Sequence, residues 1–452
     1  MKDFIEKKFG LLENGTNIKT EFLAGLTTFI TMAYIIIVNP KILAQAGMDP
    51  NAVFTATILA SVIGTLIMGL YANVPYVQAP GMGLNALFTY TVCMGLGFRW
   101  EEALAMVFIC GIINIIITVT RIRKSLIKAI PEFMQNAISV GIGLFIAYLG
   151  VKNAGFIQFS VSEVTEGTAM AADVVPSLSI FNNASIILAV IGLIITTILV
   201  VKKVKGGILI GIILTTIIGI PLGVTNLAGM ENFKIAIEPT LFKLDFTGLL
   251  TAKAGILTAI MTIFAFSLSD IFDTIGTFVG TGQKAGIFKG AIDENPKLEK
   301  ALYADSFATS IGALLGTSNT TTYVESTAGI EVGGRTGLTA VFAAMFFLIA
   351  LIFAPIVTII PTVATAPALI IVGVMMMDSI LKIDWKDLVI AVPAFFTIIF
   401  MPYAFSITTG IQMGFLLYII TKVAVGKAKD IHLIIYVFTL LFILDFLYKA
   451  IS

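Results

Sequence analysis

Val74-Pro75-Tyr76-Val77-Gln78-Ala79-Pro80-Gly81-Met82-Gly83-Leu84-Asn85 and Ser318-Asn319-Thr320-Thr321-Thr322-Tyr323-Val324-Glu325 are the two stretches on which the fold turns. Both sit among long apolar segments, yet neither reads as an ordinary helix. The first carries two prolines and two glycines; the second opens on β-branched residues and runs on to Gly333-Gly334. Proline removes a backbone donor, and β-branched side chains are stiff against a helical turn. Irregular backbone at membrane depth survives only where it lines a cavity or is buried in protein. Two such breaks at matching positions of two repeats point to a central substrate site. Each would leave a half-helix whose N-terminal N–H groups face that site. The plainer reading, that Pro and Gly only allow kinks and tight packing, fits one segment as well. The matched pair with a carboxylate between favours the cavity.

The rest of the chain supplies the bilayer setting. Its 452 residues are 58% hydrophobic and 12% charged, with a mean hydropathy of +1.01. A soluble domain carries about 25% charged residues, so a water-facing surface cannot be built. Stretches such as 186–201, 207–222 and 338–360 approach or reach the ~20 apolar residues that cross a hydrocarbon core. A net charge of +1 and the lack of a basic, aromatic-studded patch exclude a nucleic-acid face. Cys93 and Cys110 form no disulfide framework or zinc spacing, and the one histidine, His432, excludes a multi-histidine metal site. The polar first twenty residues give no cleavable signal peptide, so the first span is expected to direct insertion.

The chain is therefore expected to be an all-α polytopic membrane protein. About fourteen spans fall near 22–43, 52–72, 78–97, 102–121, 131–151, 182–201, 207–226, 250–281, 302–316, 318–334, 337–358, 363–382, 386–403 and 406–425. A further apolar stretch, 431–449, carries Asp445 and suits either a span or the interface. Basic clusters at Lys7-Lys8 and Lys19, Arg121 to Lys128, Lys202 to Lys205, Lys284 to Lys300, and Lys422 to Lys429 all fall on one side. The bias of Lys and Arg toward the cytoplasm puts the N-terminus inside. The segments with Glu163, Glu166, Asp173 and Glu231 then lie outside. Seven spans per half mean that the second half starts from the opposite side, as in inverted repeats. The expected division is 1–226, with core spans 1–4 and gate spans 5–7, and 227–452, with core spans 8–11 and gate spans 12–14.

Acids inside this frame carry the chemistry. A carboxylate at the bilayer centre costs at least ~2.5–3.5 kcal/mol, so each needs a purpose. Asp270 and Asp273 lie three apart in span 8, on a face shared with Ser267 and Thr274. The alternative is that this face lies near the cytoplasmic interface, or that each acid caps a broken helix. Glu325 binds substrate, switches its protonation, or pairs with Arg335. Asn85 offers a donor and an acceptor to a ligand, or links helices. Asp305 reads as structural.

At these residues the chain resembles the AzgA-like purine permeases, within the nucleobase/ascorbate transporter group. The matching stretches are Thr27–Pro40, Ala79–Phe88 (APGMGLNALF), Ser269–Gly280 (SDIFDTIGTFVG), Thr321–Ala340 and Ala391–Gly410. The resemblance runs over essentially the whole chain. It implies uptake of hypoxanthine, guanine or adenine, usually with a proton, at the cell (cytoplasmic) membrane. It also implies the uracil permease fold, with short extended segments in spans 3 and 10 and a core sliding against a gate. The family's span 3 asparagine falls on Asn85, its span 8 aspartates on Asp270 and Asp273, and its span 10 glutamate on Glu325.

By that resemblance Asp270 and Glu325 are the foremost direct ligands, with Gly83, Asn85, Thr322 and Val324 around the substrate. Asp273, Thr274 and Glu325 would support or couple the proton. Ser269 departs from the apolar residue common there. Neither a cofactor nor a metal is expected, and the coupling ion is expected to be H⁺. The partners are a purine base and the lipid bilayer; Na⁺ in place of H⁺, and a homodimer, stay open. Phe88, Phe264 and Phe266 are candidates to cover a base, though each suits packing better. Two rivals stand beside this reading. An anion carrier of the same fold, of sulfate or bicarbonate type, would favour positive groups over three acids. An intramembrane enzyme would need a nucleophile–base or metal arrangement that one peripheral histidine does not supply.

Overall fold

The computed structural model describes residues 2–120, 129–161, 174–227, 235–252, 255–282, 287–288 and 295–451. The expectations placed on Arg121 to Lys128, Glu163, Glu166, Asp173, Glu231 and Lys284 lie outside the described residues. The first half holds α1 (Lys2–Phe9), α2 (Ile18–Met32), α3 (Ile35–Leu43), α4 (Pro50–Ile67), β1 (Gln78–Pro80), α5 (Met82–Ala86) and α6 (Trp100–Val119). It continues through α7 (Glu132–Asn153), β2 (Ile157–Val161), β3 (Val174–Leu178), α8 (Ala184–Val201) and α9 (Gly207–Gly219). The second half holds α10 (Phe246–Thr251), α11 (Ile256–Thr277), α12 (Pro296–Leu315), β4 (Thr320–Thr322), α13 (Ser326–Val332), α14 (Gly337–Ala350) and α15 (Ala354–Ile359). Then follow α16 (Thr362–Met376), α17 (Leu388–Tyr403), α18 (Ile407–Ala424) and α19 (Leu433–Ile451).

Among the described residues, nine helices are long and apolar enough to cross a membrane, and three shorter apolar ones accompany them. Local chemistry sets their starts. Asp49 accepts from Ala52 N ahead of Pro50, and Asn295 accepts from Lys297 N and Leu298 N around Pro296. A side-chain acceptor followed by proline in the first turn satisfies orphan donors and pre-sets the helical φ.

β1 and β4 pair antiparallel in the register Gln78 to Thr322, Ala79 to Thr321 and Pro80 to Thr320. Two copies of one segment related by a twofold axis in the membrane plane meet in this way. Gly81 N donates to Asn319 O, and Tyr323 N to Val77 O, at 3.0 Å each, which extends the ladder by one step at either end. The packing falls into two groups. Around the strands, α12 lies on α4 and α6, α14 on α2 and α4, α13 on α2, and α11 on α6. Elsewhere α16 lies on α7 and α8, α17 on α7 and α18, and α9 on α8. Small residues allow the closest crossings: a Cβ on Gly337 would fall on the Gly69 carbonyl oxygen.

The stretch left open at 431–449 forms α19, packed on α11 and α18. Its Asp445 is fully buried.

Candidate functional site

Tyr34 follows the break between α2 and α3, and its hydroxyl donates to Glu325 Oε1 at 2.7 Å. Glu325 opens α13, directly after β4, and is partly exposed; Val324 beside it is 50% exposed. Asp273, on α11, is exposed as well, and its carboxyl interacts electrostatically with Glu325. The exposure of Asp273, Val324 and Glu325 beside the buried strands marks an opening at the strand crossing. Two carboxylates and a tyrosine hydroxyl border it.

Behind the opening stands a fully buried polar wall. Asp270 is 0% exposed, and its Oδ2 accepts from Asn114 Nδ2 at 2.8 Å and Thr309 Oγ1 at 3.3 Å. Ser267 donates to Asn114 Oδ1. Asp305, on α12, accepts from Thr322 N at 3.0 Å, Thr322 Oγ1 at 2.8 Å, Gln78 Nε2 at 3.3 Å and Thr274 Oγ1 at 2.8 Å. One carboxylate thus ties both strands to the helix that carries Asp273. Asn85 is buried, and its Oδ1 accepts from Ser318 across the repeats. Gly83 is half-buried against Ile142 of α7.

The eight-residue expectation therefore splits. Asp273, Val324, Glu325 and, in part, Gly83 border the opening, whereas Asp270, Asn85, Thr274 and Thr322 form its back wall. Of the two span 8 acids, Asp270 is the buried one and Asp273 the exposed one. The partners of Asp270 on α6 and α12 turn it inward, and Asp273, about 60° around the helix at about 100° per residue, turns out. Arg335 does not pair with Glu325. Its Nη1 instead donates to Ile330 O at 2.5 Å and Gly334 O at 2.8 Å, closing the end of α13. Phe264 stacks on Phe438 at 3.8 Å, and Phe88 and Phe266 are wholly buried, so none of the three covers the opening.

Sequence reasoning missed Tyr34, Asn114 and Glu21. Tyr34 lies within the resembling stretch 27–40, and nothing in its sequence neighbourhood singles it out. Glu21 is buried on α2 and accepts from Arg335 N at 2.9 Å, Thr339 N at 2.9 Å and Thr339 Oγ1 at 2.6 Å. It thereby satisfies the start of α14. Outside the spans, Arg99 binds both Glu102 and Asp245. The Gly248 N–H, and then Arg99, hold the Asp245 carboxyl below the usual carboxylate range.

A helical membrane protein whose two halves each contribute a broken span to one polar opening is built as a carrier. The chain belongs to the permease family whose model matches residues 19–413. It is 47% identical to a putative permease of Methanocaldococcus jannaschii, over 99% of both chains. It is 42% identical to the guanine/hypoxanthine permease PbuO of Bacillus subtilis (97% of this chain, 99% of that one). It is 40% identical to the adenine permease AdeQ of Escherichia coli (97% and 95%). Among solved structures, the transmembrane domain of a cyanobacterial bicarbonate transporter, BicA, superposes with a TM-score of 0.59. That match has 16% identity and covers 90% of this chain and 96% of that one, and it shows the fold alone. Members of the family are transporters, not enzymes, and this chain is a multi-pass membrane protein of the nucleobase permease kind.

Proposed function

We propose that the protein imports purine nucleobases, hypoxanthine and guanine first and adenine also, across the cytoplasmic membrane together with a proton. The observation that carries this reading is the pair of carboxyls, Asp273 and Glu325, bordering one opening at the strand crossing. An oxopurine presents N–H donors along one edge, and charge-assisted hydrogen bonds to carboxylates are the strong kind. The direct acid on α11 is Asp273; Asp270 is a buried support held by Asn114 and Thr309. Val324, half exposed beside Glu325, offers an apolar surface for the base. The names of PbuO and AdeQ agree with a purine substrate. An anion meets two carboxyls of its own sign in this opening, which disfavours the bicarbonate-type alternative.

The group holding the strands acts as the moving core, and α7–α9 with α16–α18 as the gate. A bare carboxylate crossing the bilayer centre costs at least ~2.5–3.5 kcal/mol, so one acid takes a proton outside and releases it inside. The N-terminus is cytoplasmic, on the side of exposed Lys202, Lys203 and Lys205.

The test is uptake of labelled hypoxanthine into proteoliposomes, with unlabelled bases in competition. Concentrative uptake that vanishes when the proton gradient is collapsed is the expected result. Accumulation that survives the collapse overturns the coupling, and indifference to every purine overturns the substrate.

A further inference from the structure

The last helix carries a carboxylate that the substrate site does not use. Asp445, on α19, is 0% exposed; its Oδ1 accepts from Thr258 Oγ1 at 2.9 Å and its Oδ2 from Gln412 Nε2 at 2.9 Å. Thr258 and Gln412 are 1% and 0% exposed. The three residues come from three helices, and the same three helices meet through aromatic rings. Phe438 stacks on Phe264, and Phe442 meets Phe264 and Phe415 at 5.9 Å and 5.8 Å. An ionisable group inside a membrane protein is costly and marks function by default. This one lies beyond residue 413, where the family match ends.

Its position says what it does. Thr258 lies in the first turn of α11, whose other end carries Asp273. At about 1.5 Å per residue the two are ~22 Å apart, too far for Asp445 to touch a substrate. Gln412 belongs to α18, which packs chiefly on α17 and also on α7 and on α11 itself. Asp445 therefore joins the helix of the site to the opposite packing group at the end remote from the chemistry.

We propose that Asp445 is a positioning residue, a pivot that pins the far end of α11 to α18 so that α11 moves at its Asp273 end. This rests on the transport reading above. Substrate affinity is set at the Asp273 end and turnover by the swing, so the two separate. Asp445→Ala removes both acceptors; Asp445→Asn keeps one for Thr258 and offers its amide to Gln412 Oε1, which accepts no hydrogen bond among the described residues.

The experiment is hypoxanthine uptake by the full chain in proteoliposomes, read as KM and Vmax. Asp445→Ala is expected to lower Vmax at least fivefold with KM within twofold, and Asp445→Asn to restore Vmax to within twofold. A Vmax that is unchanged or raised in Asp445→Ala, or a loss that falls on KM, overturns the pivot. Thr258→Val breaks only one of the bonds and serves if Asp445→Ala does not fold; it is expected to lower Vmax at least twofold, and no change overturns the proposal. A second readout needs no substrate. Gly276 is exposed on the Asp273 side of α11, and no described residue lies within 4 Å of an added Cβ, so Gly276→Cys accepts a charged maleimide. Asp445→Ala is expected to change its labelling rate at least threefold and Asp445→Asn not, whereas equal rates count against the pivot. A wild-type protein that moves no purine defeats the transport reading alone, and the labelling still decides the pivot.

Discussion

The two halves of the strand crossing are built from unlike materials. The segment 75–86 brings Pro75, Pro80, Gly81 and Gly83 and no acid or base, whereas β4 and α13 bring Glu325 and lean on Asp305 and Arg335. The first half supplies shape: proline and glycine set a backbone that lets the strands and Ile142 come close. The second supplies the chemistry. Sequence repeats that began alike need to keep only their backbone geometry in common, and side-chain work concentrates on one side. Tyr34 is the exception, a first-half residue whose hydroxyl serves the second-half acid.

Substitutions break this contrast in order of expected effect. Glu325→Gln and Asp273→Asn each remove a charge-assisted acceptor, which is about 1.5–3 kcal/mol, or roughly ten- to a hundredfold in substrate affinity. Asp270→Asn is expected to cost under about threefold in affinity while lowering thermal stability, because it sits behind the opening. Equilibrium binding of hypoxanthine to the purified variants measures all three; a larger affinity loss at Asp270 than at Asp273 would reverse their roles. On the first half, Gly83→Ala drives a Cβ into Ile142 Cγ2. Overpacking of this kind costs about 1–3 kcal/mol and is expected to slow uptake about tenfold with affinity nearly intact, as measured by initial rates beside binding. The smallest effect is expected from Tyr34→Phe, which removes one neutral hydroxyl. About 1 kcal/mol is lost, roughly fivefold in affinity, and the same titration reads it. A loss as large as that of Glu325→Gln would mean that the hydroxyl itself meets the substrate.

The spans and the broken segments were legible because hydropathy, prolines and the threonine run are local signals. Chain order did not carry which of Asp270 and Asp273 is buried. Helical periodicity puts both on one side of α11, and only Asn114 and Thr309, from two other helices, decide which one faces inward. Glu325 and Arg335 look like an ion pair ten residues apart, yet the guanidinium ends a half-helix whose last carbonyls need donors. Glu21 reads as an interfacial acid until α14 brings its unsatisfied N–H groups alongside. Asp305 read as structural, and its four donors give that word its content: it fastens both strands at once.

Because Gly81 bonds to Asn319, Tyr323 to Val77, and Asp305 grips Gln78 together with Thr322, the two half-helices cannot shift past one another without tearing a ladder of buried bonds. On the proposed transport reading, the crossing travels as one rigid block. A molecule arriving from either face of the lipid therefore meets the same template, and inhibitors rank identically in right-side-out and inverted vesicles.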